Sequence, residues 1–154
     1  MCSAARAAGA LRILLADGHT AVRQSLRTLL EEHPTWQVVA EAADGREAVR
    51  RAEESVPDVV VMDLAPTLLA GIEATRQIVR RVPSAKVVVL SVHVDEAYVA
   101  PILKAGAVGY LLKDRADIEL VPAIVAAASG EVFVSPGVSR GTFPSAEARD
   151  RGGR

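Results

Sequence analysis

The chain has 154 residues, enough for one domain with a substantial buried core. An apolar fraction of 50% excludes a disordered composition, and a net charge of −1 gives no general attraction to nucleic acid or to an anionic membrane. No apolar run approaches the roughly 20 residues of a membrane span, and the single cysteine, Cys2, excludes an intramolecular disulfide. We therefore expect a cytoplasmic protein that does not associate with membranes.

Five short apolar runs alternate with longer amphipathic stretches. Most of the runs are nearly continuous in Val, Ile and Leu, which is typical of strands buried on both faces of a parallel sheet. In chain order they are LRILLA (11–16), WQVVAEA (36–42), DVVVMDL (58–64), KVVVLSV (86–92) and GYLLK (109–113). Strand and helix alternating five times predicts an α/β doubly wound fold with helices on both faces of the sheet.

The amphipathic stretches carry helix signals. Val22 and Leu26 share one face of the first stretch. The second begins with a capping-box pattern in which Asp44 is the N-cap and Glu47 reaches back. Gly130 is placed to end the fifth helix.

Two prolines fall inside predicted helices, Pro101 in the fourth and Pro122 in the fifth. A proline beyond the first turn of a helix costs about 3 kcal/mol and removes one hydrogen bond. The sequence leaves two alternatives open. Either these helices begin late, which puts the proline in the first turn, or they are kinked.

We predict three segments along the chain. Residues 1–10 are expected to be a flexible N-terminus and residues 11–134 the folded domain. Residues 135–154 are rich in Gly, Ser, Pro and Arg without periodicity, which predicts a flexible tail or linker.

Four polar residues stand where the predicted strands end: Asp17, Asp63, Ser91 and Lys113. Ligands of open parallel sheets bind beyond the carboxyl ends of the strands, so these side chains are expected to converge. A carboxylate can accept a phosphoryl group as a nucleophile, while a hydroxyl, an ammonium and a divalent cation neutralise the phosphoryl oxygens. His19 and His93 lie near this group and are interpreted as loop hydrogen-bonding residues.

At these positions the sequence resembles the receiver domain of bacterial two-component response regulators of the NarL/FixJ type. The resemblance covers roughly residues 11–134 and implies a flavodoxin-like (βα)5 fold, with five parallel strands in the order 2-1-3-4-5. The motifs that carry it are LLADGHTAVRQSLRTLLE (14–31), EAADGREAV (41–49), PDVVVMDL (57–64), GIEATRQI (71–78), VVVLSVH (87–93) and KAGAVGYLLKD (104–114).

The resemblance assigns a role to each site residue. Asp63 would be the phosphoacceptor. Asp17, Asp63 and the backbone carbonyl of Ala65 would bind Mg²⁺. Ser91 would hydrogen-bond a phosphoryl oxygen, and Lys113 would pair with the phosphate.

The resemblance also implies a signalling function rather than an enzyme activity. A sensor histidine kinase would supply the phosphoryl group, and Tyr110 would change rotamer when Ser91 moves toward it. The change would switch a protein–protein interface and so regulate transcription. A homodimer is one form that this interface could take.

Three departures from the family pattern bear on this function. Members normally carry two consecutive acids after the first strand, but here Gly18 replaces the second. Pro66 stands one place earlier than the family's proline and restricts Ala65 to extended geometry. The chain also stops in a linker-like tail, where subfamily members usually continue into a helix-turn-helix domain, so we expect no DNA binding by this chain itself. The glycine motivates the hypothesis that Mg²⁺ affinity is weakened and phosphorylation is slow or absent.

The sequence leaves three functions open. The first is a phosphorylatable signalling module, and the second is a receiver that acts as a protein interaction module without phosphorylation. They differ in whether Asp63 gains phosphate. The third is an enzyme or cofactor binder on a flavodoxin-like fold, which fold analogy alone would support because Gly18 does not make a phosphate-cradling loop.

Overall fold

The apolar runs of the sequence form the strands of one parallel sheet. The structure, a computed structural model, describes residues 10–64 and 67–138. Within them the strands are β1 (Leu11–Ala16), β2 (Trp36–Ala42), β3 (Val59–Asp63), β4 (Lys86–Ser91), β5 (Gly109–Leu112) and β6 (Phe133–Val134). The helices are α1 (Thr20–Glu31), α2 (Gly45–Ser55), α3 (Leu68–Arg81), α4 (Glu96–Lys104) and α5 (Ala116–Ala128), and a 3-10 turn, Lys113–Arg115, follows β5.

The strand order is β2-β1-β3-β4-β5-β6. The predicted doubly wound α/β fold and the order 2-1-3-4-5 are therefore confirmed. The short strand β6 is an addition that the sequence pattern did not predict. Its two residues pair in parallel with Gly109 and Tyr110 of β5, and a segment this short carries no periodic signal.

The strands are buried on both faces, which explains why their apolar runs are continuous. In β1, Leu14 and Ala16 contribute to one core together with apolar residues of α2, α3 and α4. Ile13 and Leu15 contribute to the opposite core, which α1 and α5 complete. Because successive side chains of a strand point to opposite faces, a sheet covered on both sides needs an apolar residue at every position.

The helix ends follow the predicted signals with one difference. Asp44 caps α2 by accepting a hydrogen bond from the backbone N–H of Glu47 at 2.9 Å. The Glu47 carboxylate reaches back to the N–H of Ala43 at 2.8 Å rather than to that of Asp44. Gly106 and Gly130 follow α4 and α5 with φ angles of +117° and +82°, the left-handed conformation that ends helices.

The two prolines lie in helix interiors. Helix α4 begins at Glu96 and α5 at Ala116, so Pro101 and Pro122 both fall beyond the first turn. The alternative of a late helix start is therefore wrong. Each helix forgoes the hydrogen bond that a backbone N–H at the proline position would donate.

A buried polar contact fixes the segment after α5. Ser135 Oγ donates a hydrogen bond to Glu119 Oε1, and both residues are buried. Arg115 Nε donates to the other oxygen of Glu119 at 3.2 Å, and the Ser135 N–H donates to the carbonyl of Tyr110 at 2.8 Å. Val138 then packs into the core. The packed chain thus continues past β6.

The termini lie largely outside this description. Residues 1–9, including Cys2, and residues 139–154 fall outside the described residues. The predicted flexible N-terminus and tail therefore stay predictions. Among the described residues, no helix combines the length and the apolar content that crossing a membrane requires.

We expect Ser135→Ala to lower the free energy of unfolding by about 1–3 kcal/mol, because it leaves a buried carboxylate oxygen of Glu119 without its hydroxyl donor. Urea denaturation followed by circular dichroism measures the change. Ser129→Ala is the matched control, since Ser129 Oγ is exposed and donates only to the Val125 carbonyl at 3.1 Å. Equal effects of the two substitutions would contradict the proposed strength of the buried contact.

Candidate functional site

The four polar strand ends meet at one edge of the sheet, as the sequence predicts. Asp63 ends β3, Ser91 ends β4, Asp17 follows β1 and Lys113 follows β5. The parallel register places these ends level with one another, since Asp63 is opposite Leu90 of β4. Four segments that are distant in the chain thus supply one site.

Lys113 joins the two carboxylates. Its Nζ lies 3.1 Å from Asp17 Oδ2 and 3.0 Å from Asp63 Oδ2. The side chains of Asp17 and Asp63 are 2% and 7% exposed, while that of Lys113 is 18% exposed. One ammonium between two carboxylates leaves a net negative charge in a largely buried place, where Coulomb interactions are strong.

This arrangement sets the protonation of the lysine. Partial burial lowers the pKa of Lys113, but the hydrogen bond and charge of Asp63, followed by those of Asp17, outweigh it and raise the pKa above its ordinary value. Lys113 is therefore a fixed cation at neutral pH.

The loop after β1 holds Asp17 in place. Asp17 Oδ1 accepts a hydrogen bond from the backbone N–H of His19 at 2.8 Å, and the carbonyl of Asp17 accepts one from Arg23 Nη1. Arg23 also donates to Glu41 at 2.7 Å. Burial raises the pKa of Glu41, but the hydrogen bonds from Arg23 and Arg27 together lower it by more. The pKa therefore lies below its ordinary value, and Glu41 stays ionised. The acidic side chain of Asp17 is thus oriented before any ligand arrives.

Gly18 is not required by the backbone. Its φ lies outside the left-handed region that favours glycine. A Cβ at this position would stand 3.2 Å from the carbonyl oxygen of Ala43, a tight contact that a shift of a few tenths of an ångström relieves. The lack of a second acid after β1 is therefore a change in the charge of the pocket rather than a demand of the fold.

Ser91 and Tyr110 are linked through one residue. Ser91 Oγ accepts a hydrogen bond from the N–H of His93 at 3.0 Å, and the Tyr110 hydroxyl donates to the carbonyl of His93 at 2.9 Å. Both side chains are buried. Burial raises the pKa of Tyr110 and the neighbouring Ser91 hydroxyl lowers it, with a net rise that keeps the phenol protonated. A displacement of Ser91 would therefore disturb the anchor of Tyr110.

A cavity of about 200 Å³ opens onto this group, and Asp63, Ser91, Lys113 and His19 contribute to its lining. A larger groove of about 670 Å³ runs between α2 and α3 and is lined by none of these residues. The smaller cavity is the one that combines a carboxylate, a hydroxyl and an ammonium, so it is the candidate site for chemistry on a small anionic group.

The described residues offer three candidate metal ligands. Asp17, His19 and Asp63 each present one ligand atom, and these atoms lie within 4.8 Å of one another. The sequence predicts a loop hydrogen-bonding role for His19 rather than a metal-binding one. Its place two residues after Asp17 was the available signal. Ala65 and Pro66 lie outside the described residues, so the carbonyl ligand stays a prediction.

We expect Lys113→Met to lower the free energy of unfolding at pH 7 by about 2 kcal/mol or more, because it leaves two buried carboxylates without their shared cation. The pKa of Lys113 is raised on folding, so its contribution is complete below its unfolded pKa of about 10.4 and is lost as the pH rises through the folded value.

The gap between the wild-type protein and Lys113→Met should therefore be constant from pH 7 to about pH 10 and shrink above it. Urea denaturation across this range measures the gap. Lys104→Met, at an exposed lysine of α4, is the matched control. A gap that widens above pH 10 would contradict the assignment.

A comparison with known families agrees with the site. The family model described as the response regulator receiver domain matches residues 13–125. The transcriptional regulatory protein LiaR of Bacillus subtilis is 46% identical over 121 residues, which cover 79% of this chain and 57% of LiaR. The transcriptional regulatory protein DegU of Brevibacillus brevis is 40% identical over 129 residues, which cover 84% of this chain and 55% of DegU. The chain thus spans little more than half the length of these relatives.

A solved structure agrees with the fold. The crystal structure of a two-component response regulator of the LuxR family from Aurantimonas sp. SI85-9A1 superposes with a TM-score of 0.80 at 38% identity. The match covers 95% of this chain and all of that one. Sequence, fold and family match agree, and the chain belongs to the response regulator receiver domain family.

Proposed function

We propose that this receiver domain accepts a phosphoryl group on Asp63 from a sensor histidine kinase in the cytoplasm and converts the modification into a change at a protein–protein interface. The observation that carries the proposal is the position of the Asp63 carboxylate, 3.0 Å from Lys113 Nζ in a cavity that Ser91 also lines. Transcription regulation and any DNA contact belong to the larger assembly in which such a domain works. We propose no enzyme activity for the chain itself.

The transfer is a nucleophilic displacement at phosphorus. A carboxylate oxygen of Asp63 forms the new P–O bond while the P–N bond to the donor histidine breaks and its electron pair stays with the imidazole. The Lys113 ammonium is placed to pair with a phosphoryl oxygen. Ser91 Oγ accepts from His93 and so keeps its own proton for another phosphoryl oxygen. A divalent cation bound among the acids would offset the remaining negative charge.

The switch would run through His93. Movement of Ser91 Oγ toward a phosphoryl oxygen would pull on the His93 N–H, while the His93 carbonyl holds the Tyr110 hydroxyl. Tyr110 would then change rotamer, as the family resemblance implies. Its backbone carbonyl also accepts the N–H of Ser135, so the same residue adjoins the packed segment that follows β6. This continuity supports an output surface near β5 and β6, on which a second copy of the chain is one candidate partner.

Gly18 makes the reaction slow in this proposal. Mg²⁺ prefers carboxylate and carbonyl oxygens, and its affinity rises with the number of charged ligands. A pocket with one acid after β1 holds Mg²⁺ less tightly than a pocket with two. Gly18 also favours the second candidate function, an interaction module that works without phosphorylation. With no carboxylate at position 18, Lys113 offsets part of the charge of Asp17 and Asp63, and less negative charge is left to attract a metal ion.

We expect the wild-type protein to gain one phosphoryl group when it is incubated with phosphoramidate and a divalent cation, and Asp63→Asn to gain none, since an amide is not a competent nucleophile here. Intact-protein mass spectrometry over time measures the gain. Asp117→Asn, at an exposed aspartate of α5, is the control and should react as the wild type does. Mass gain in Asp63→Asn, or none in the wild type at saturating donor, would remove the phosphoacceptor role and favour the interaction module.

We expect Gly18→Asp to raise both the Mg²⁺ affinity and the phosphorylation rate, on the order of tenfold, by adding a carboxylate to the pocket. Gly18→Asn is the matched control, because it makes the same Cβ contact with Ala43 without the charge. Isothermal titration with Mg²⁺ and the mass assay measure the two effects. If the asparagine variant gained as much as the aspartate variant, charge would not be the cause.

A further inference from the structure

We infer that His19 is a protein ligand in the acidic pocket and that it makes the site selective for a borderline transition-metal dication, with Co²⁺ and Zn²⁺ as probes, over Mg²⁺. The inference rests on the part of the proposed function that places a divalent cation beside Asp17 and Asp63. It does not depend on the phosphorylation of Asp63.

The first support is the spacing of the candidate ligand atoms. His19 Nδ1 lies 3.3 Å from Asp17 Oδ1. Metal bonds of about 2.0–2.2 Å to nitrogen and oxygen place neighbouring ligand atoms roughly 3.0–3.5 Å apart. Asp63 completes the set, with all three ligand atoms within 4.8 Å of one another. Two of the three donors therefore already have the separation that a shared ion requires.

The exposure of the His19 side chain is the second support. His19 is the N-cap residue of α1, yet its side chain caps no backbone N–H. The side chain is 69% exposed, so its imidazole can turn toward an ion without disturbing the core. Its backbone is fixed beside the pocket, because its N–H donates to Asp17 Oδ1 at 2.8 Å. The residue combines a fixed backbone with an exposed imidazole, whose Nδ1 makes a hydrogen-bond contact with Asp17 Oδ1 that an ion bound by both atoms would replace.

A third support is a buried carboxylate oxygen that shares its cation with a second carboxylate. Asp17 is only 2% exposed, and its Oδ2 pairs with the Lys113 ammonium, which also pairs with Asp63 Oδ2 at 3.0 Å. Lys113 Nζ faces this oxygen as an ion pair at 3.1 Å. One ammonium carries a single positive charge and so does not neutralise two buried carboxylates. A dication would satisfy Asp17 Oδ2 and leave Lys113 to Asp63.

The chemistry of the donors decides which cation gains. Mg²⁺ demands hard oxygen ligands and loses most from the missing acid at Gly18. Imidazole nitrogen suits Co²⁺ and Zn²⁺ and adds nothing for Mg²⁺. The set of Asp17, His19 and Asp63 is therefore worse for Mg²⁺ than an all-carboxylate pocket and better for a borderline ion. Because most mixed nitrogen and oxygen sites follow the same metal order, the dependence on His19 is the discriminating quantity.

The rings of the other two histidines stack on aromatic side chains. His93 lines the same cavity, and its ring stacks on Tyr98 with centroids 3.9 Å apart and planes 5° from parallel. His33 follows α1 and stacks on Trp36 with centroids 4.2 Å apart. His33 therefore offers a matched control, a histidine of the same chain that is not among the three candidate ligands.

The test is isothermal titration of the intact chain with each of Mg²⁺, Co²⁺ and Zn²⁺ alone, for the wild type, His19→Ala and His33→Ala. The visible spectrum of bound Co²⁺ reports nitrogen ligation directly. We expect the wild type to bind Co²⁺ and Zn²⁺ at least about tenfold more tightly than His19→Ala does, with Mg²⁺ affinity unchanged by that substitution. His33→Ala should match the wild type throughout.

Two results would overturn the inference: wild-type Co²⁺ affinity and spectrum in His19→Ala, or tighter binding of Mg²⁺ than of Co²⁺ by the wild type. Thermal unfolding without metal should show equal stability of wild type and His19→Ala, because the side chain is exposed. The outcome is separable from the proposed function. A chain that binds Co²⁺ through His19 but never gains a phosphoryl group would refute only the latter.

Discussion

The ammonium of Lys113, held between the carboxylates of Asp17 and Asp63, is the interaction on which the site depends. Two acids within reach of one cation would repel each other without it, and burial would add to the cost. The lysine satisfies that demand and also leaves the pocket with residual negative charge. The folded chain thus tolerates two buried carboxylates, and the pocket still attracts a further cation.

The topology of the sheet makes this interaction available. Parallel strands end at the same edge of the sheet. Residues at the ends of β1, β3, β4 and β5 therefore meet although they are far apart in the sequence. The cores on both faces hold the strands in register, which fixes the separation of the site residues. Asp17 and Ser91 are both at most 2% exposed. The sheet therefore holds a preorganised pocket, and His19 lies at its mouth as an additional, exposed candidate metal ligand.

Most of the strands and site residues can be predicted from the sequence. The features that cannot be predicted from it have physical reasons. Continuous apolar runs reveal strands buried on both faces, and a polar residue after each run reveals the edge where ligands bind. The strand β6 has two residues and leaves no periodic pattern. The contact between Ser135 and Glu119 joins residues 16 apart and depends on how α5 packs. The approach of His19 to Asp63 is likewise set by loop conformation, which residue identity alone does not determine.

The coupling between the Asp63 pocket and Tyr110 is tested most directly by an NMR titration of the isotopically labelled chain. The ligand is beryllofluoride, a phosphoryl mimic, in the presence of a divalent cation. If the pocket is coupled to the output side of the sheet, the amide signals of Ser91, His93, Tyr110 and Ser135 should shift together on binding at Asp63, while signals lining the groove between α2 and α3 stay in place. Binding that shifts only the neighbours of Asp63, or no binding at saturating mimic, would contradict the account.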